Sequence, residues 1–540
     1  MADDLDFLNE STSEMAKLGV VVAGSLSQGI QVRLDSPRAV EESKVGTFVT
    51  VQGATNRFFG IITDLSLEST DHNFAASVGE VGPAIASVLA GTTAYAVAKV
   101  TPMLTTSVED VSPQPARSLP GHFAPVRRAT NDDVQAIFGS EDESHIWVGS
   151  PLDMEDTRVC LDLQEFVKRS NGVFGKSGTG KSFLTRILLA GILQRGSATN
   201  LVFDMHSEYG WQGTSESGYS AKGLKQLFPS RVTVFSLDRV SSLQRGLTPD
   251  HDAVIGFDEI EPEDISILSQ TLNITELGVQ ACYTLRRHFD RDWVRLFLGQ
   301  SSDELAKLAE QLRENPSTLD ALRRRLTQLQ HLDFIQVRGA GTVNQVLDNL
   351  IDGRHVVLEF GRHGDNLTAY LLVANLITRR IHARYRELTE QALATNAKPP
   401  EPLVITIEEA HRFLGPGVAG QTIFGTIARE MRKYRVTLLV VDQRPSGIDD
   451  EVMSQVGTRI TCQLDNDRDV DAVLTGAPGA RELRGVLSRL EAQQQSLMFG
   501  HALPMPVVVR TRNYDESFYA ESTLLGHSFG APGDKSDLFG

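Results

Sequence analysis

The run Gly175-Lys176-Ser177-Gly178-Thr179-Gly180-Lys181-Ser182 has the pattern G-x-x-x-x-G-K-S, whose residue types at that spacing suit the holding of a triphosphate. Glycines let backbone amides curl around the phosphates, where a Cβ would block close approach. Lys181 would place a point charge on the β- and γ-phosphates, and the Ser182 hydroxyl would ligate Mg²⁺. The β-like run Gly172-Val173-Phe174 precedes the loop, and an amphipathic helix over Leu184–Leu193 is predicted after it. A helix starting there turns its positive end toward the anion, a context that a Gly-rich turn does not require.

Three further groups could act on a bound nucleotide. Leu403-Val404-Ile405-Thr406-Ile407-Glu408-Glu409-Ala410-His411 reads as an apolar strand ending in two carboxylates. One could hold the Mg²⁺ shell and the next could polarise the attacking water, although paired acids after a strand are also common as solvated loop charges. Val436–Asp442 reads as a buried strand followed by Gln443, a side chain able to bond a γ-phosphate or the lytic water, or simply to cap a Pro turn. The stretch Ala428-Arg429-Glu430-Met431-Arg432-Lys433-Tyr434-Arg435 ends the preceding helix. Its cations suit a helix C-terminus, and equally an arginine finger reaching a neighbouring subunit's nucleotide. Arg169 is a weaker candidate of the same kind. His355, His363 and His411 have no metal-ligand spacing and read as structural or polar positions.

The elements that must position these groups follow from composition and texture. At 540 residues, with 41% hydrophobic and 22% charged, the chain is ordinary globular material for several domains. Cys160, Cys282 and Cys462 are too scattered for a disulfide framework or zinc cluster, which suits a reducing compartment. The start Met1-Ala2-Asp3-Asp4-Leu5-Asp6 is acidic, and no run of 18 apolar residues occurs, so a cytoplasmic protein without a membrane anchor is expected. Fifty-two Lys and Arg against 69 Asp and Glu give a formal charge of −17, which excludes a uniformly basic nucleic-acid coat but not a small basic channel.

Residues 1–115 carry short runs rich in Val, Ile, Phe and Thr: Leu18–Ala23, Gly29–Leu34, Gly46–Gln52, Phe58–Thr63 and Thr93–Met103. Five or six such strands predict a small β-barrel. Residues 116–158 read as a linker. From Val159 the apolar runs Asn171–Phe174, Leu201–Asp204, Arg231–Ser236, His355–Phe360, Leu403–Glu408, Val436–Asp442 and Thr458–Leu464 predict a parallel sheet covered by helices. This α/β core occupies residues 159–262 and 333–512. An all-helical insertion falls at 263–332, with capping boxes at Ser301–Glu304 and Ser317–Asp320. Residues 513–540 read as a tail, mobile from Gly526.

Taken together, these residues resemble the HerA family of DNA-pumping ATPases, in the FtsK–HerA branch of P-loop motors. The resemblance rests on the P-loop, on Asp204-Met205-His206-Ser207-Glu208-Tyr209, on Glu408-Glu409-Ala410-His411-Arg412-Phe413, and above all on Ala428–Tyr434 followed by Val440-Val441-Asp442-Gln443-Arg444-Pro445-Ser446. It implies a RecA-like core with ATP and Mg²⁺ as cofactors, Lys181 and Ser182 as the phosphate and metal residues, and Glu409 as base. It further implies Gln443 as γ-phosphate sensor, Asp204 as the acid after the second strand, and Arg429 or Arg432 as the finger in trans. The family usually has Asp where Glu408 stands, so the metal-side carboxylate is one methylene longer, which implies a differently tuned hydrolysis. The implied assembly is a homo-hexamer on DNA, whose barrel end docks a NurA-like nuclease or another effector enzyme, in DNA-end processing or phage defence. Two rival readings are a conjugation- or secretion-type coupling ATPase and a nucleotide-gated ring scaffold regulating an effector. A GTPase is disfavoured, since no Asn-Lys-x-Asp motif occurs.

Overall fold

In the computed structural model the described residues are 17–70, 94–107, 112–214, 220–420, 422–477, 479–492 and 494–528. They form two compact units. The first contains the described residues up to Asp162 together with Gly175–Gly180 and Thr458–Arg512; the second contains Leu163–Phe174, Lys181–Gly457 and the described residues from Asn513 onward.

In the first unit, an antiparallel barrel of six strands closes on itself. The strand Lys17–Ser25 pairs with Gly29–Leu34 and Pro125–Arg128. Phe48–Gln52 pairs with Pro125–Arg128 and Asn56–Ser69, and Ala94–Ser107 joins Asn56–Ser69 to Gly29–Leu34. Val32, Val49, Val51, Ile62, Val100 and Val126 fill the interior. Closure removes the unpaired edges that would otherwise invite aggregation. One staple is Pro125–Arg128, which lies inside the stretch read as a linker. Four residues with a Pro and two Arg show no alternation, so only pairing on both sides identifies them as a strand. The rest of that stretch is also ordered: the helix Asn131–Phe138 opens on a Thr130–Asp133 capping box, and His145–Pro151 is a strand. Asp133 is buried and forms ion pairs with Arg57 and with Arg127 (3.3 Å), tying that helix to two barrel strands. The same unit holds an antiparallel series in the order Thr458–Thr461, Gln495–Gly500, Val507–Thr511, His145–Pro151 and Val159–Asp162.

The second unit is a parallel sheet in the order His251–Asp252, Val232–Ser236, His355–Glu359, Thr199–Asp204, Leu403–Glu408, Val436–Asp442 and Asn171–Phe174. The strands from Val232 to Phe174 are buried along their whole length, as both-face coverage by helices demands. The helix Lys181–Arg195 is buried over Leu184–Gln194 on all faces, so it is a core helix and not the amphipathic one its sequence suggests.

Residues 263–332 are occupied by helices, among them Glu276–Phe289, Trp293–Leu298, Ser302–Leu312 and Pro316–Leu326. Ser301 and Glu304 form the expected capping box. The next helix begins earlier than Ser317: Asn315 caps it and Pro316 takes the first turn, a fixed φ that outcompetes the Ser/Asp pattern. Buried Asp264 is held by Arg379 (2.7 Å) and Asn375 (3.0 Å), which fixes the helix Pro262–Ile267 on the long helix Leu367–Thr395.

The stretch read as a tail contains the helix Glu516–Ser528. Tyr514 and Tyr519 anchor its start: the Tyr514 hydroxyl donates to the Lys222 carbonyl (2.9 Å), and the Lys222 amide donates to the Tyr519 hydroxyl (3.1 Å). Residues 529–540, which include most of the expected mobile segment, lie outside the described residues. The three cysteines are buried and form no disulfide among the described residues. No described helix is long and apolar enough to cross a membrane.

Candidate active site

The parallel register brings strand ends side by side. Phe174 lies opposite Asp442, Glu408 opposite Val441, and Asp204 and Ser236 both opposite Glu359. Carboxylates therefore end four neighbouring strands: Asp442, Glu408, Asp204 and Glu359. This is the edge where open parallel sheets place their ligands.

The segment 175–180 continues the chain from Phe174 and runs into the helix that starts at Lys181. Gly178 (φ 76°) and Gly180 (φ 95°) take left-handed backbone, and a Cβ on Gly180 would have nothing within 4 Å. That open side is what a phosphate cradle needs. Gly175 is pressed the other way, since a Cβ there would come within 2.7 Å of the Cys462 Cβ. The loop is braced by Thr179, whose hydroxyl donates to the Lys176 carbonyl (2.8 Å), and by the Lys176–Asp465 ion pair (2.9 Å). Ser177 is exposed, Lys181 buried and Ser182 partly buried.

Asp204 spends both carboxylate oxygens on its own loop. Oδ1 accepts from the Glu208 amide (2.7 Å), and Oδ2 from the amides of Tyr209 (2.8 Å) and Gly210 (3.1 Å). Both oxygens are thus engaged by the loop that Asp204 shapes. That loop also receives Arg186, whose Nε donates to the Glu208 carbonyl (2.8 Å) while the guanidinium lies over Phe183 and Tyr514. Removing the Asp204 side chain leaves three amides without their acceptor, at about 1–3 kcal/mol for each one left buried and unsatisfied. Asp204→Ala is expected to lower the urea midpoint with an unchanged m-value; an unchanged midpoint would show that solvent replaces the carboxylate.

Glu408 and Glu409 are adjacent in sequence and opposite in environment. Glu408 is buried, and its Oε1 accepts from the Tyr209 hydroxyl (3.1 Å). Tyr370 fixes the backbone: its hydroxyl donates to the Glu408 carbonyl (2.9 Å) and accepts from the Glu408 amide (3.1 Å). Burial, with the charges of Asp204 and Glu208 nearby, pushes the Glu408 carboxyl well above the usual carboxylate range. Burial and Asp204 likewise push Glu359 up to about 8. Glu409 follows in left-handed backbone (φ 50°), an uncommon conformation for a residue with a side chain. The turn breaks the strand, and the Glu409 side chain is 25% exposed. Its Oε2 lies 3.6 Å from Arg412 Nε and 3.7 Å from His411 Nε2. Beyond the next strand tip, Gln443 is exposed.

The donor set fits Mg²⁺ of the kind that keeps several waters and phosphate oxygens. The Glu408 Oε2 atom is buried without a hydrogen-bond partner, and no group of three or more His, Cys, Asp or Glu among the described residues could hold a metal unaided.

The arginines are placed differently. Arg169 precedes Asn171, which lies opposite Leu439, so it sits at the edge away from the strand-end carboxylates, with its Cβ against Gly457. It does not join the cluster of its own chain. Arg429, on the helix Ile423–Glu430, donates to the Ala419 carbonyl (3.3 Å) and lies 3.6 Å from Glu451. Arg432 falls in the short helix Met431–Tyr434; its side chain is outside the described residues.

Residues 146–381 match the family model described as the central domain of helicase HerA. The chain carries a HerA central domain over those residues. The DNA double-strand break repair helicase HerA of Sulfurisphaera tokodaii is 24% identical over 505 residues, covering 92% of this chain and 93% of its own. The Pyrococcus furiosus protein of the same name is 24% identical over 410 residues, covering 72% and 73%. Among solved structures, VirB4 of Thermoanaerobacter pseudethanolicus is 12% identical and covers 71% of this chain and all of its own, with a TM-score of 0.45. With a P-loop and a HerA central domain, this protein is an ATP-hydrolysing enzyme.

Glu359, Tyr209 and Tyr370 escaped the sequence reading as site residues. Glu359 ends an apolar run, His355–Phe360, and a carboxylate closing a buried strand was the available signal. Tyr209 lies in a segment already singled out. Nothing local marks Tyr370, which sits on a helix 38 residues before its partner.

Proposed function

We propose that this ATPase is a ring-forming DNA translocase or helicase of the HerA family, with Gly175–Ser182 as its phosphate cradle and Glu409 as its water-polarising base. Lys181 and the backbone amides would hold the phosphates, and Ser182 with Glu408 would hold Mg²⁺, which supplies neutralisation of phosphate charge. Gln443 would bond the γ-phosphate or the lytic water. The observation that carries the reading is the split between the two adjacent carboxylates: Glu408 is buried and fastened by two tyrosines, while Glu409 is turned outward beside His411 and Arg412. Relatives named as DNA double-strand break repair helicases support DNA as the track and end processing as the setting. A homo-hexamer with a basic channel reconciles DNA with the charge of −17, and a nuclease or other effector on the barrel would complete it.

The test is Glu409→Gln. It is expected to bind ATP with Mg²⁺ and to hydrolyse about a hundredfold or more slower, the range for a lost general base. A bound-but-stalled Glu408→Gln beside an active Glu409→Gln would reverse the two roles. Turnover stimulated by DNA, with strand displacement, is expected of the wild-type protein; ATPase activity indifferent to DNA would favour the scaffold reading.

A further inference from the structure

We propose that His411 is a positioning residue for Glu409, clamped from behind by Asp442 and holding the carboxylate in its working place. The proposal rests on the reading of Glu409 as the base. Asp442 is 1% exposed and its oxygens are fully engaged. They accept from the His411 amide (2.7 Å), the Arg444 amide (2.7 Å) and His411 Nδ1 (3.0 and 3.1 Å). A carboxylate only accepts, so Nδ1 donates to Asp442 and the ring orientation is set; to hold the Glu409 carboxylate, Nε2 must donate in turn. That orientation aims Nε2 at Glu409 Oε2, 3.7 Å away. The gap exceeds a hydrogen bond by about half an ångström, as is common for catalytic contacts that close only around the substrate.

A second contact seats the ring. The turn Pro445–Gly447 passes over it so tightly that a Cβ on Gly447 would come within 3.0 Å of the His411 Cβ. The imidazole is therefore wedged between the strand tip that carries Gln443 and the carboxylate of Glu409. A shift of that tip on meeting a γ-phosphate is delivered through Asp442 and the ring to Glu409. Arg412 Nε lies 3.6 Å from the same oxygen and balances its charge.

The two amides of similar shape separate positioning from mere packing. In His411→Asn the amide can replace Nδ1 and keep the Asp442 bond, but it cannot reach Glu409. In His411→Gln the longer amide can replace Nε2. With ATP turnover measured on the full chain, His411→Ala is expected to lower kcat by about tenfold to a hundredfold, the scale for a misplaced catalytic group, with KM for ATP changed less than about twofold. His411→Gln should recover more of kcat than His411→Asn. In a Glu409→Gln background, His411→Ala should add almost nothing. Wild-type kcat in His411→Ala overturns the proposal, as does better recovery by Asn than by Gln, or an undiminished effect in the Glu409→Gln background. If His411→Ala fails to fold, the Asn and Gln comparison decides alone. Glu409→Gln with wild-type turnover would remove the base reading itself, and the proposal with it.

Discussion

Lys181→Ala is expected to fold normally and to lose ATP turnover by about a thousandfold or more, since a fixed cation on the transferring phosphoryl supplies much of the charge stabilisation that phosphoryl transfer needs. Lys181 is the first residue of the helix Lys181–Arg195, and the core contacts of that helix come from Leu184, Ile187, Leu188 and Ile192, all buried. Alanine is the best helix former, so helix propensity does not fall with the exchange. An unchanged thermal midpoint with turnover lost is the expected pair of results. Wild-type turnover in a folded Lys181→Ala protein would overturn the nucleotide-site assignment.

The second large effect tests the ring. Arg429 already uses its guanidinium on Ala419 and Glu451 of its own chain, which shifts the expectation for a finger in trans toward Arg432. Arg432→Ala should bind ATP normally and lose roughly a thousandfold in turnover, the lower range for an arginine finger. Arg429→Ala should lose less. Mixing Arg432→Ala with Lys181→Ala then offers a complementation test. A Lys181→Ala subunit has no working P-loop but keeps its arginine, so beside an Arg432→Ala subunit it can complete that subunit's intact site. Partial recovery of ATPase activity in exchanged rings is expected. A monomeric mass at micromolar protein with ATP and Mg²⁺ would remove the translocase reading, because both a finger in trans and an enclosed channel need neighbours.

What the sequence determined by itself is what depends on neighbouring residues. The phosphate cradle is eight consecutive residues whose glycines and Lys are required by local backbone geometry, so it was legible without a fold. The parallel strands were legible because coverage on both faces demands unbroken apolar runs such as Leu403–Ile407 and Val436–Val441. Most of the barrel was legible in the same way. Pro125–Arg128 was not, because four residues cannot display a period and their strand identity comes from two partners, Lys17–Val20 and Val49–Val51. The ordered helix Glu516–Ser528 was missed for a related reason: what anchors its start is Lys222, 292 and 297 residues away from its tyrosine partners.

Tertiary structure alone decided how the acids differ. Glu408-Glu409 reads as two equivalent charges, and burial against Tyr209 and Tyr370 makes one internal while a left-handed turn carries the other outward. It also decided that Asp204 serves its own loop, and that Glu359 stands beside it through strand pairing across 155 residues of chain. His411, read from sequence as a structural or polar position, acquires its orientation from Asp442 on the neighbouring strand. Spacing along a chain can specify which groups are available. Which of them are desolvated, and which face one another, depends on contacts between residues far apart in sequence, and only packing fixes those.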